Sequence, residues 1–133
     1  MSTFRIALAN IQCPATPEES VTLAEQAILQ ASDERADLIC FPECFVPGYR
    51  LGKRVSPPDP AFLERAWSVI AAAAARANGA VVLGTERVVE SGLLIAVLVV
   101  ERDGTIAGFQ DKVQLDPPRR VPMSQEVLLT IVV

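Results

Sequence analysis

The sequence contains no histidine and only three cysteines, and both shortages restrict the chemistry that the chain can carry out. Without histidine, neither a Ser-His-Asp nor a Cys-His arrangement can form, so a hydrolase built on this chain needs a carboxylate or a lysine as its base. The cysteines, Cys13, Cys40 and Cys44, are odd in number and match no common zinc-ligand spacing. We therefore expect no metal centre, no cofactor and no disulfide framework.

The chain also lacks an excess of basic residues and a long apolar run. Its net charge is −4, which argues against a nucleic-acid partner because no basic patch is offered to phosphates. The longest apolar run covers residues 93–100, whereas a bilayer-spanning helix needs about 20 residues. The N-terminus has no signal-peptide layout. These features predict a cytoplasmic protein without a membrane or nucleic-acid partner, and 133 residues correspond to one domain.

The hydrophobic periodicity predicts the order β-α-β-α-β followed by a β-hairpin. We predict a first helix capped by Thr16, with Pro17 in its first position and Glu19 completing a capping box. A second helix should run from Pro60 to Ala77, after a proline-rich loop at residues 46–60. The predicted strands are residues 4–11, buried; 37–41, covered on both faces; 80–86; 93–101; and 105–110. The last two are joined through Asp103-Gly104, a strong hairpin signal. This order implies an α/β domain with helices on a mixed sheet.

Glu43 is the first candidate for chemistry. The apolar run at residues 38–41 is stopped by Pro42, so Glu43 should lie in the loop at a strand end, where reacting groups are often held. As a general base it would need a raised pKa, which we expect from the apolar neighbours Phe41, Phe45 and Val46. The alternative is a carboxylate that caps the following turn, and local evidence alone favours that alternative.

Lys112 is the second candidate. The chain has ten arginines but only two lysines, Lys53 and Lys112, so a lysine directly after the hairpin is conspicuous. A compact ammonium can lie beside a tetrahedral oxyanion or change its pKa on burial. The alternative is a solvated lysine at a strand end, between Asp111 and Asp116.

Each cysteine is a possible nucleophile. Cys40 lies inside an apolar run and is best interpreted as a core residue. Cys13 follows the first strand, and the sequence leaves its burial open. Cys44 adjoins Glu43, but adjacent side chains on an extended segment point in opposite directions, so we do not expect the two to meet.

Two segments resemble the motifs of a known family. Phe41-Pro42-Glu43, followed by Pro47-Gly48-Tyr49, resembles the glutamate motif of the nitrilase, or carbon–nitrogen hydrolase, superfamily. The segment Gly108-Phe109-Gln110-Asp111-Lys112-Val113-Gln114-Leu115 resembles its lysine motif, and residues 6–12 resemble its first strand. The resemblance covers residues 4–117.

The resemblance implies part of an α-β-β-α sandwich and a Glu-Lys-Cys mechanism that hydrolyses small amides, nitriles or carbamoyl compounds. It implies that Glu43 is the general base and that Lys112 stabilises the oxyanion. The nucleophilic cysteine would follow Lys112 on a later strand, and none is present there. The resemblance further implies a homo-oligomer when the protein is full length.

Beyond Pro117 the sequence departs from the family pattern, with Arg119 and Arg120 where acidic residues are expected. The asparagine that often enters the hairpin strand is also replaced, within Leu94-Ile95-Ala96. We therefore predict that residues 1–117 are the N-terminal part of a hydrolase domain. Residues 118–133 would be a divergent tail that arises from a truncation or a frameshift. Such a chain should be inactive alone and unstable, with apolar sheet edges open to aggregation.

Two other interpretations remain. The chain could be a non-catalytic α/β module that pairs with a partner chain through its exposed sheet, with Glu43 and Lys112 as structural charges. It could also be a small α/β domain whose two motifs match by chance. The agreement of strand order, hairpin turn and both motifs favours the hydrolase.

Overall fold

The computed structural model describes residues 3–50 and 57–113 of the chain. These residues form two helices and five strands in the predicted order. The helices are α1 (Pro17–Asp33) and α2 (Pro60–Ala77). The strands are β1 (Ile6–Leu8), β2 (Leu38–Cys40), β3 (Ala80–Val89), β4 (Gly92–Val100) and β5 (Ile106–Asp111).

Both helices begin at capped N-termini, as the sequence predicts. The Thr16 hydroxyl accepts a hydrogen bond from the Glu19 backbone N–H at 3.0 Å. The Glu19 carboxylate accepts from the backbone N–H of Ala15, one residue before the cap, so the capping box is formed with a shifted partner. At α2, Asp59 accepts from the Phe62 N–H at 2.9 Å. α2 ends at Asn78, whose left-handed conformation (φ 50°) closes the helix.

The five strands form one mixed sheet in the order β1-β2-β3-β4-β5. The first three strands are parallel to one another, and β4 and β5 are added antiparallel. Parallel neighbours need a crossover, which α1 and α2 supply, whereas the antiparallel pairs are joined by tight turns. At the β4–β5 turn, Gly104 adopts φ +87°, which confirms the predicted Asp-Gly hairpin.

The core lies between the helices and one face of the sheet. Ile28 of α1 and Ile70 of α2 belong to one buried cluster with Val81 and Leu83 of β3. The helices also contact each other, with Arg76 of α2 paired to Glu25 of α1 at 2.5 Å. One helical layer therefore covers one face of a mixed sheet, and the predicted α/β fold class is confirmed.

The prediction that the first strand is buried is wrong. β1 is three residues long and lies at the edge of the sheet, and Ile6 and Leu8 are 53% and 76% exposed. The alternating side chains explain this, because Ala7 and Ala9 point to the helices while Ile6 and Leu8 point to the other face. The sequence analysis overestimated the burial of β1, because an apolar run in the sequence does not show which face of the strand is covered.

The other face of the sheet carries a row of apolar side chains. Leu8 is aligned with Cys40 of β2, which is aligned with Val82 of β3 and then Val99 of β4. Within the described residues nothing packs over this row, and Cys40, Val82 and Val99 remain partly exposed. The expectation that β2 is covered on both faces is therefore wrong for this part of the chain.

Two further outcomes concern the chain after α2. β3 continues to Val89 and meets β4 through Glu90 and Ser91, so β3 and β4 form a second hairpin that we did not predict. The Ser91-Gly92 step, with Gly92 at φ +133°, is the turn signal that could have revealed it. The prediction of a divergent tail at residues 118–133 lies outside the described residues.

Candidate functional site

Glu43 lies in a turn at the carboxyl end of β2, where the sequence predicts it. The flanking segment is fixed to β3: the Phe41 N–H donates to the Val82 carbonyl at 2.9 Å, and the Val46 N–H donates to the Gly84 carbonyl at 3.2 Å. Between these bonds the turn crosses directly over Gly84. A Cβ at position 84 would lie 2.0 Å from the Pro42 carbonyl oxygen and 2.7 Å from the Glu43 Cα. The missing side chain of Gly84 is therefore what lets the Glu43 turn pack this closely.

Lys112 immediately follows β5, and its backbone N–H donates to the Ile95 carbonyl of β4 at 2.8 Å. Its Nζ donates to Glu43 Oε1 at 2.7 Å, across 69 positions of sequence. The two side chains are about one-third exposed, 34% for Lys112 and 38% for Glu43. The fold thus brings together the two residues that the sequence analysis singled out, at the carboxyl end of β2 and the end of β5.

Tyr49 is a third member of this cluster. Its hydroxyl donates to Glu43 Oε2 at 2.9 Å, so each oxygen of the carboxylate receives a hydrogen bond from a different side chain. The sequence analysis included Tyr49 in the glutamate motif but assigned it no role. Its position in that motif, six residues after Glu43, was the available signal.

The expected rise in the pKa of Glu43 is wrong in direction. The hydrogen bond from Lys112, and then that from Tyr49, hold the pKa of the carboxyl below its ordinary value of 4.5. Burial acts upward, but it is outweighed. Phe41, Phe45 and Val46 are buried in the core rather than gathered around the carboxylate, so they desolvate it less than their sequence proximity implied.

The three cysteines occupy different environments. Cys44 is only 5% exposed, and burial raises the pKa of its thiol to about 11, with the charge of Glu43 adding to the effect. Burial also raises the pKa of Cys40. Cys13 is exposed. Because the reactive form is the thiolate, neither Cys40 nor Cys44 is activated in this arrangement.

The prediction that Cys44 and Glu43 do not meet was based on an extended segment, which the structure does not show. Cys44 adopts a left-handed backbone conformation (φ 49°), so the segment is a turn rather than an extended strand. The turn directs the Cys44 side chain into the interior while that of Glu43 stays at the surface.

An ion pair beside the cluster was missed by the sequence analysis. Glu86 of β3 is 3% exposed. The Arg50 guanidinium donates two hydrogen bonds to its carboxylate, from Nε to Oε1 at 2.5 Å and from Nη2 to Oε2 at 2.7 Å. The Glu86 N–H also donates to the Val46 carbonyl at 3.2 Å. A carboxylate inside a mainly apolar strand was the signal that a partner had to be present. Arg50 and Glu86 thus fix both ends of the segment that carries Tyr49.

A cavity of about 730 Å³ opens next to this ion pair. Tyr49, Arg50 and Glu86 contribute to its wall together with the first turns of α1 and α2. Glu43 and Lys112 do not line it, so the cavity touches the cluster only through Tyr49.

The described residues offer neither a metal cluster nor a membrane-spanning helix. Across residues 3–50 and 57–113, no three His, Cys, Asp or Glu side chains come together in a way that could hold a metal ion. No helix in the same ranges is long and apolar enough to cross a membrane.

Comparison with known structures gives a consistent set of neighbours. An amidase from Nesterenkonia sp. superposes with a TM-score of 0.71 at 25% identity, over 93% of this chain and 49% of that one. A mutant of the Nesterenkonia AN1 amidase, described as belonging to the nitrilase superfamily, gives a TM-score of 0.71 at 25% identity, over 93% of this chain and 50% of that one. A carbon-nitrogen hydrolase from Helicobacter pylori G27 has a TM-score of 0.73 at 14% identity, over 85% of this chain and 40% of that one, and shares the fold.

The chain thus spans about half the length of the Nesterenkonia structures that it matches. No curated protein sequence matches it. The sequence profile of the carbon-nitrogen hydrolase family matches residues 5–130, so the match extends past Pro117. A match of this length excludes the interpretation that two motifs agree by chance. With this match over nearly the whole chain and the shared fold, the chain belongs to the carbon-nitrogen hydrolase family.

Proposed function

We propose that this chain supplies the general base and the oxyanion-stabilising lysine of an enzyme that hydrolyses a small amide. The observation that carries the proposal is the 2.7 Å contact between Lys112 Nζ and Glu43 Oε1. Family membership and the amidase neighbours support the reaction class. Nitriles and carbamoyl compounds use the same kind of site and are the other substrate classes that we retain.

In the proposed reaction, Glu43 takes a proton from a cysteine thiol as the sulfur attacks the carbonyl carbon. The carbonyl oxygen becomes an oxyanion, and Lys112 stabilises it. An ammonium has three N–H donors, so its bond to Glu43 does not by itself prevent a second bond. The C–N bond breaks, the proton held by Glu43 leaves with the nitrogen as ammonia, and water activated by Glu43 hydrolyses the thioester to the acid.

The nucleophile of this reaction is not supplied by the three cysteines of the chain, and we propose that the 133 residues alone are inactive. Cys44 and Cys40 are poor candidates because the pKa values of their thiols are raised. A mutant of the Nesterenkonia AN1 amidase shows the result of Michael addition of acrylamide at its active-site cysteine, which supports a thiol nucleophile in the proposed reaction.

The first test assays the purified chain for ammonia release from small amides and nitriles. We expect none above the rate without protein. Ammonia release that is lost in Glu43→Ala would contradict the proposed inactivity and make Cys13 or Cys44 the nucleophile.

The second test sequences and expresses the gene together with the DNA that follows the codon for Val133. We propose that a cysteine-bearing continuation follows, in frame or shifted, and that its product releases ammonia from small amides. Glu43→Gln and Lys112→Met should each lower kcat/KM at least about a hundredfold. Glu25→Gln, which removes a carboxylate from the Arg76 pair on the helical layer, is the matched control and should leave the rate unchanged. Absence of any such continuation contradicts the proposal that this chain works together with a cysteine-bearing segment.

We also propose, by family likeness, that the complete protein is cytoplasmic and forms a homo-oligomer. The second candidate function is a non-catalytic module that pairs with a partner chain, and the apolar row of Leu8, Cys40, Val82 and Val99 favours it. A stable complex with a fixed partner that survives Glu43→Gln, without hydrolysis in either form, would support this alternative over the enzyme.

A further inference from the structure

The proposed reaction uses Glu43 and Lys112 but gives no part to the third side chain of the cluster. Tyr49 donates its hydroxyl hydrogen to Glu43 Oε2, the oxygen that Lys112 does not contact. The ring of Tyr49 is 50% exposed, so packing in the core does not explain where it lies. The hydrogen bond to Glu43 is the specific contact of this side chain.

The backbone around Tyr49 is held on both sides. Before it, the Gly48 N–H donates to the Cys44 carbonyl at 3.1 Å, which closes the turn that begins at Glu43. After it, Arg50 is fixed to the buried carboxylate of Glu86 by two bonds. The phenol is therefore presented to Glu43 from a constrained segment rather than from a loose loop.

A glutamate held at only one oxygen is poorly oriented. The last torsion of glutamate is broad, so a single donor leaves the carboxylate plane free to rotate. Lys112 approaches from the end of β5 and Tyr49 from the turn after β2, and the two donors act on different oxygens. Together they set both the position and the plane of the carboxylate.

We infer that Tyr49 is a positioning residue for Glu43: its hydroxyl fixes the carboxylate so that the free lone pair of Oε2 faces the group that gives up its proton. This inference rests on the proposed function, because it gives Tyr49 a role only if Glu43 is the base. The bond from Lys112 is the stronger one, since both of its partners are charged.

The electrostatics of the cluster agree with this geometry. The hydrogen bond to Glu43 raises the pKa of Tyr49 to about 12, from an ordinary value of 10.0. The charged and titratable groups that act on Glu43, Tyr49 and Cys44 are Lys112, Arg50, Glu86 and Cys13. Removal of Glu43's charge should therefore have the largest effect on Tyr49, because that contact is the first cause of the shift.

The chain has a single tyrosine, so phenolate absorbance in the near ultraviolet reports Tyr49 alone. In the full 133-residue chain we expect a pKa of about 12, and in Glu43→Gln a value lowered towards 10.0. Glu25→Gln is the control and should leave the value of the unsubstituted chain. Replacing the residue by 3-fluorotyrosine, a more acidic phenol, moves the titration to milder pH, and circular dichroism shows that the fold persists. Titration of Tyr49 at its ordinary value in the unsubstituted chain overturns the inference.

A second measurement follows the carboxyl carbon of Glu43 by NMR. We expect the pKa of Glu43 to rise in Tyr49→Phe, because one of its two donors is lost, and an unchanged value overturns the inference. Neither measurement needs turnover. If the expected pKa shifts are absent, the role of Tyr49 is refuted, but the proposed hydrolysis is not affected. Conversely, absence of hydrolysis with both shifts present refutes the proposed function and not the contact. In an active product, Tyr49→Phe should move the acid limb of kcat/KM to higher pH.

Discussion

At the scale of single residues, Glu43 shows what the sequence can and cannot predict. Its place after a strand, and its link to Lys112, were accessible from two motifs. The direction of its pKa was not, because that depends on which side chains reach the carboxylate in three dimensions. Two hydrogen-bond donors outweigh the apolar neighbours in sequence, and those neighbours turn into the core.

The lowered pKa of Glu43 has a definite consequence for pH dependence. A carboxyl group with a folded-state pKa below its unfolded value contributes stability above the unfolded value. That contribution is lost as the pH falls through the lowered folded-state value. Glu43 should therefore remain ionised, and paired with Lys112, below the pH at which an ordinary glutamate gains its proton.

The roles of Tyr49 and of the Arg50–Glu86 pair could not be predicted from the sequence. A tyrosine hydroxyl and a buried carboxylate have many possible partners in sequence, and only the turn after β2 selects among them. The Val46–Pro47 peptide bond within this turn is cis. No periodic pattern encodes such a turn, so side chains that it positions escape sequence reasoning.

At the scale of elements, prediction succeeded where a local signal coincided with a packing requirement. α2 was predicted at its observed bounds because it is one amphipathic segment that begins at Pro60 and is stopped by Asn78-Gly79. The β4–β5 hairpin was predicted because its two strands are joined by an Asp-Gly turn. β1 failed because its burial is decided by the layers around it and not by its own residues.

The close fit between β3 and the Glu43 turn gives a prediction at this scale. Gly84→Ala places a Cβ 2.0 Å from the Pro42 carbonyl oxygen, so the turn must move and the fold should lose about 1–3 kcal/mol or more. Displacement of the turn separates Glu43 from Lys112. The pKa of Glu43, followed by NMR, should therefore rise towards its ordinary value.

Gly79→Ala is the matched control for this change. It makes the same substitution just before β3, where the new Cβ would lie 3.3 Å from the Ala36 carbonyl oxygen, without the overlap that Gly84→Ala creates. The pKa of Glu43 should stay lowered in this variant. A folded Gly84→Ala protein in which the pKa of Glu43 stays as low as in the unsubstituted chain would contradict this prediction. It would show that the turn does not depend on the missing side chain of Gly84.

At the scale of the whole molecule, we expect the apolar row on the sheet, over which no other described residue packs, to govern association in solution. Leu8 and Ile6 are the most exposed part of that face, at 76% and 53%. Contiguous exposed apolar surface promotes association. We therefore expect the 133-residue chain to self-associate with rising concentration, as measured by sedimentation velocity.

Leu8→Lys should weaken this association, because it places a charge on the apolar face at the edge strand β1 without altering the core. Leu29→Lys, at a half-exposed position of α1 on the opposite side, is the control and should not change it. A chain that stays monomeric at all concentrations and melts in one sharp, cooperative transition would contradict the expectation.

The central claim is that this carbon-nitrogen hydrolase chain assembles Glu43 and Lys112 into one charged pair. The most direct test is the pKa of Glu43, read from its carboxyl carbon by NMR in the unsubstituted chain and in Lys112→Met. The structure predicts a value below 4.5 in the first and a rise in the second, because the bond from Lys112 is the largest cause of the shift. A value near 4.5 in the unsubstituted chain, unchanged by Lys112→Met, would contradict the claim.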